Sequence, residues 1–205
     1  NKTPNLLVIC PSRVITQWQG SIKQVVPDIK ILNFKPGATA KVVDEIISRT
    51  PSNGIAVVVS LNSVWKMPHL LHKIDASWTI VVDESHKIKE VGTRRSPVKV
   101  TDFVLDLGPK TPYKIILTDT KKKKEYGGYI DYHTQLQFLG YLSISRNEFM
   151  KRYCYTQKMT IPGSPYPIQK IVGYRNTEEL DSLLATVSRR YVPKFTDDEP
   201  RNIVQ

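Results

Sequence analysis

Three unbroken apolar runs constrain this chain most: Asn5-Leu-Leu-Val-Ile-Cys10, Ile55-Ala-Val-Val-Val-Ser60 and Ile80-Val-Val82. Successive side chains of a strand point to opposite faces, so a strand with one wet face alternates apolar and polar residues. A run without alternation belongs to a strand covered on both faces, as in a parallel sheet between layers of helix. The third run leads straight into Asp83-Glu84-Ser85-His86. Open α/β sheets bind ligands beyond the carboxyl ends of their strands. Two adjacent carboxylates are therefore expected at the ligand edge. One can hold Mg²⁺ through its oxygens. The other can orient or deprotonate a water that attacks a γ-phosphate.

The remaining segments read as the connections such a sheet needs. Ser12 is expected to cap a helix over Arg13–Val26, closed by Pro27, with Trp18 as a core residue. Ile29–Phe34 reads as a strand, and Thr39–Arg49 as an amphipathic helix with Val42, Val43, Ile46 and Ile47 on one face. A short helix over Val64–Lys73 precedes the acidic strand. Ser96–Leu105 is expected to be helical with Pro97 at its first position, and Tyr113–Thr118 to be a strand. Helices follow over Tyr129–Leu142 and Ser143–Tyr153, the first with Ile130, Leu136, Phe138 and Leu139 as anchors. Met159–Tyr174, with Pro162, Gly163, Pro165 and Pro167, reads as a loop or hairpin. Asn176 is expected to cap a last helix to Val187, with Glu179 completing a capping box. Thr196–Gln205 is polar and reads as a tail or linker.

Asp83-Glu-Ser-His-Lys-Ile-Lys89 resembles the Asp-Glu-Ala-His-Arg-Ile-Lys box (motif II) of Swi/Snf-type superfamily 2 translocases. The Pro11-Ser12 turn and Gln17-Trp18 resemble their motif Ia, and Ser60, Asn62 and Ser63 their motif Ib. Leu117-Thr-Asp-Thr120 resembles motif III, Leu-Thr-Gly-Thr-Pro, with Asp119 and Lys121 replacing the glycine and proline. The resemblance implies an α/β fold: a RecA-like parallel sheet flanked by helices, a lobe of the P-loop NTPase type, with a helical extension at its C-terminal end. It implies residues 1–125 as the first ATP-binding lobe, 126–195 as the extension that closes it, and 196–205 as a tail. By the same resemblance Asp83 binds Mg²⁺, Glu84 activates water, and His86 bridges motifs II and III. Thr118 and Thr120 relay the nucleotide state, while Ser12, Arg13, Ser60 and Asn62 touch nucleic acid. The implied cofactors are ATP and Mg²⁺. The implied partners are nucleic acid, DNA before RNA, a second RecA-like lobe of the same protein, and a transcription or replication complex.

Thirty basic and nineteen acidic residues give a net charge of +11, which suits a polyanion. The Lys121–Lys124 run reads first as a solvated loop. No run of eighteen apolar residues occurs, so no membrane span is expected. Cys10 and Cys154 read as buried free thiols, which fits an intracellular setting: nucleus, cytoplasm, viral factory or virion. His69, His72 and His133 read as structural. No G-x-x-x-x-G-K-[ST] loop is present. In the family that loop precedes motif Ia, so the segment alone is expected not to hydrolyse ATP. Two alternatives compete with a motor: a degenerate, non-catalytic lobe that binds nucleic acid or a polymerase complex, and the translocating subunit of a restriction-type nuclease.

Overall fold

The computed structural model describes residues 5–32, 41, 48, 54–88, 99–118, 128–160 and 167–188. The chain divides into two compact units, residues 1–151 and 152–205.

The first unit is built on a five-stranded sheet. Its strands are β1 (Asn5–Cys10), β2 (Lys30–Leu32), β3 (Ile55–Ser60), β4 (Trp78–Val82) and β5 (Lys114–Ile116), in the order β2-β3-β1-β4-β5. All four pairings are parallel. The unbroken apolar runs are the three central strands, and each divides its side chains between two cores. Leu7 and Ile9 of β1, Ile55, Val57 and Val59 of β3, and Ile80 and Val82 of β4 face one core. Val8 and Cys10, Ala56 and Val58, and Val81 face the other. The first core is closed by Leu70 of helix α2 (Pro68–Leu71), Phe103, Val104 and Leu107 of α3 (Lys99–Leu107) and Phe138 of α4 (Tyr132–Leu139). The second is closed by Ile22 and Trp18 of α1 (Ile15–Val25). Burying a Leu, Ile or Val side chain contributes about 1.5–3 kcal/mol, so polar residues in these runs would be costly.

Several elements differ from the sequence expectation in their ends. Ser12 does not cap α1. It opens a 3₁₀ turn, Ser12–Val14, before α1 starts at Ile15, and neither start has a side-chain cap bond. The segment 64–73 splits into a 3₁₀ turn, Val64–Lys66, and the one-turn α2. Helix α4 stops at Leu139, short of Leu142, because Gly140 takes φ +86°. The amides of Gly140 and Tyr141 then turn back to the carbonyls of Gln137 and Leu136. Helix α5 (Arg146–Tyr153) begins with a reciprocal box: Ser145 N–H donates to Glu148 Oε2 at 2.8 Å, and Glu148 N–H to Ser145 Oγ at 3.3 Å. Lys41 and Ser48 are helical, in line with the Thr39–Arg49 expectation. The other residues of that expected helix, with Asn33 and Phe34, Ser96 and Pro97, Asp119, Thr120, Lys121–Lys124 and the tail, lie outside the described residues.

The second unit holds an antiparallel hairpin, β6 (Cys154–Met159) with β7 (Ile168–Tyr174), and helix α6 (Thr177–Val187). Of the loop or hairpin expected over Met159–Tyr174, the structure has the hairpin, with its first strand starting earlier, at Cys154. Asn176 and Glu179 do not form a capping box. Asn176 sits at the cap position with φ +51° and makes no side-chain cap bond; its Nδ2 donates to the carbonyl of Arg152 at 2.8 Å. Glu179 instead accepts from Arg152 at 2.7 Å and from the Tyr153 hydroxyl at 2.9 Å.

Candidate active site

The parallel register brings the ends of four strands to one edge. Cys10 pairs with Ser60, Ile9 with Val82, and Val82 with Ile116. Just past those ends, Asp83 N–H donates to the Ile9 carbonyl at 2.8 Å and Ser85 N–H to the Leu117 carbonyl at 2.9 Å. The acidic pair therefore leaves β4 still tied to both neighbouring strands.

Asp83 is held at both oxygens. Oδ1 accepts from the amide of Glu84 at 2.8 Å, and Oδ2 from the indole Nε1 of Trp18 at 3.0 Å. Trp18 is thus more than the core residue expected. It packs against the second core and also delivers a donor to the acid. The nearby Cys10 thiol is buried, and burial together with the Asp83 charge pushes its pKa up to about 11. It is a neutral packing group and no nucleophile at neutral pH.

Glu84 takes the left-handed conformation, φ +53°. This turns the chain from strand into the 3₁₀ turn Ser85–Ile88. Its Oε1 is 3.8 Å from Arg13 Nη2, and its Oε2 is 3.2 Å from His86 Nδ1. That second contact lacks hydrogen-bond geometry, and Oε2 is a buried oxygen with no hydrogen-bond partner. His86 Nδ1 is also 3.3 Å from Thr118 Oγ1, so motif II and the end of β5 touch. Ser85 is fully buried and donates to Gln135 Oε1 of α4 at 2.8 Å; Gln135 in turn donates to the Asp131 carbonyl at 3.0 Å.

The structure brings Asp83, Glu84, His86, Thr118 and Arg13 together. Ser12, Arg13 and Asn62 are exposed at the same edge. Ser60 Oγ is engaged as a turn acceptor for the Asn62 amide at 3.2 Å. Thr120 lies outside the described residues. His133 is structural: its Nε2 donates to the Ile144 carbonyl at 2.9 Å and its ring meets Phe149 edge-on. Both cysteines are buried thiols outside any disulfide. Among the described residues no helix is long and apolar enough to cross a membrane. Sequence reasoning missed two residues, Trp18 as a donor and Gln135. Trp18 carried a signal, since an indole N–H near a half-buried position needs an acceptor.

The donor set fits a hard cation. Mg²⁺ takes one or two carboxylates and completes its shell with water and phosphate oxygens. Asp83 keeps lone pairs beside its two bonds, and Oε2 of Glu84 makes no hydrogen bond.

A parallel α/β sheet in this order, with an acid pair at the ligand edge of β4, defines a RecA-like lobe of the P-loop NTPase type. The chain belongs to the SNF2-related domain family, whose model matches residues 1–197. Among solved structures it is similar to the Sulfolobus solfataricus SWI2/SNF2 ATPase core in complex with dsDNA, at TM-score 0.55 and 21% identity. That match covers 75% of this chain and 29% of the other, so this chain spans under a third of that ATPase core. No curated protein matches it.

Proposed function

We propose that this chain is the first lobe of an ATP-dependent translocase that moves on nucleic acid, double-stranded DNA before RNA. Residues 1–125 would form the ATP-binding part and 126–195 the extension that closes it. The observation that carries the reading is the meeting of Asp83, Glu84, His86 and Thr118 at one sheet edge, with Arg13 beside them.

Asp83, fixed at both oxygens, would hold Mg²⁺. Bound there with ATP, Mg²⁺ neutralises charge on the phosphate oxygens. Glu84 presents an oxygen that makes no hydrogen bond and lies 3.2 Å from His86 Nδ1, a carboxylate placed to orient a water and take its proton. His86 touches both Glu84 and Thr118, so a change at the acid is felt at the end of β5; Thr120 would extend this relay. Ser12, Arg13, Ser60 and Asn62 offer hydroxyl, guanidinium and amide donors of the kind that contact phosphates. The net charge of +11 supports a polyanionic track. The solved relative is described with dsDNA, which supports duplex DNA as that track. A second lobe of the same protein, a transcription or replication complex, and an intracellular setting complete the proposal.

The test is ATP hydrolysis by the full-length protein with and without duplex DNA, beside Glu84→Gln. DNA should stimulate turnover, and the variant should lose about 10²–10⁴-fold, the usual contribution of a general base. A folded protein that binds DNA without DNA-stimulated turnover would overturn the motor and leave a binding module.

A further inference from the structure

Two N–H groups grip Asp83, and they differ in origin. The Glu84 amide is the next link of the chain and comes with any residue at that position. The Trp18 indole is brought from α1, 65 residues away in sequence. An indole N–H only donates, so it cannot compete with the carboxylate for a cation, and it leaves the carboxylate its other lone pairs. Trp18 is itself immobilised. It packs against the core of Val8, Cys10, Ile22, Ile29, Ala56, Val58 and Val81, which seats α1 on the sheet.

A carboxylate that turns freely about its Cβ–Cγ bond must be ordered when it binds metal. One already hydrogen-bonded in the right orientation is spared that cost, and losing such an outer partner typically weakens metal affinity 10–100-fold. We propose that Trp18 is a positioning residue whose indole N–H fixes the Asp83 carboxylate in the orientation that takes Mg²⁺, so that α1 braces the metal-binding acid. This rests on the reading of Asp83 as a Mg²⁺ ligand. The same turn places Arg13 3.8 Å from Glu84, so the β1–α1 segment reaches both acids.

The experiment uses the full-length protein, Trp18→Phe, and a second variant with 3-benzothienylalanine at position 18. That side chain keeps the indole shape and replaces N–H by sulfur, so the fold is retained even if phenylalanine loosens α1. A fluorescent, non-hydrolysable ATP analogue is titrated at increasing Mg²⁺ and again in EDTA. We expect the Mg²⁺ concentration for half-maximal tightening to rise about tenfold in the benzothienyl variant. Affinity in EDTA should stay at the wild-type value. Mg²⁺ dependence within twofold of wild type would overturn the proposal. So would an equal loss with Mg²⁺ and in EDTA, which marks packing alone. If the wild-type protein binds the analogue without any Mg²⁺ dependence, the reading of Asp83 fails first, and this inference with it.

Discussion

Replacing Glu84 by glycine should make the protein more stable while abolishing the ATP hydrolysis proposed above. Glu84 holds φ +53°, where a Cβ crowds the backbone at a cost of about 1–2 kcal/mol. Glycine has no Cβ and adopts this conformation freely. Glu84 Oε2 is also buried without a hydrogen-bond partner, a further cost of about 1–3 kcal/mol. Against these stand the extra chain entropy of an unfolded glycine, about 0.5–1 kcal/mol, the 3.2 Å contact of Oε2 with His86 Nδ1, and the Arg13 contact. At 3.8 Å to an exposed guanidinium, that contact contributes roughly 0–1 kcal/mol. The balance favours Glu84→Gly by about 1–2 kcal/mol, a rise in Tm of about 2–8 °C for a chain of this size. Glu84→Gln is the control. It keeps the backbone conformation and the buried oxygen, so it should melt within about 2 °C of wild type and lose hydrolysis equally. Calorimetry of the three proteins decides. A glycine variant that melts below wild type would refute the strain and burial reasoning. Opposite changes in stability and activity are what the proposed catalytic role predicts for a strained residue.

Ser85 and Gln135 should behave as one unit. Ser85→Ala leaves Gln135 Oε1 buried without its donor and should destabilise by about 1–3 kcal/mol. The double change Ser85→Ala/Gln135→Met should cost less than the sum of the single changes by about 1 kcal/mol in urea unfolding, and additivity would disprove the coupling. His133 should make the fold acid-sensitive. Burial, the largest cause, lowers its pKa below 6.5. Its Nε2 donates to Ile144, so protonation would put a proton on the buried, partnerless Nδ1. The neutral ring's contribution is complete above pH 6.5 and is lost as pH falls through the lowered folded value. Urea midpoints from pH 7.5 to pH 5 should therefore drop more for wild type than for His133→Gln, and parallel curves would count against it.

The strands were legible because burial on both faces leaves an unmistakable pattern: Ile55–Val59 can serve no other element as well. Asp83 and Glu84 were legible because two acids after such a strand must lie at the ligand edge. The misread positions depend on partners distant in sequence. Trp18 and Asp83 are 65 residues apart, and Ser85 and Gln135 are 50 apart. No local period marks either pair. Helix starts failed for a related reason. Ser12 and Asn176 are residue types that cap helices, but the Pro11 turn and the Arg152 carbonyl decided where their backbones and side chains went.

The central place of β1 has a consequence for the order in which the chain can be assembled during synthesis. Asn5 bonds Ser77, 72 residues later, and β1 pairs with β3 on one side and β4 on the other. At a synthesis rate of about 5–20 residues per second, the first described strand must wait roughly 4–14 s for its last neighbour to be made. Until β3 is made, Leu6-Leu-Val-Ile9 is an unpaired apolar segment without a charge, of the kind that aggregates, and until β4 follows one edge of β1 stays open. The strand that organises the finished sheet is therefore a vulnerable stretch of the nascent chain. Substitutions that delay β3 or β4 should lower soluble yield before they lower the stability of the folded protein.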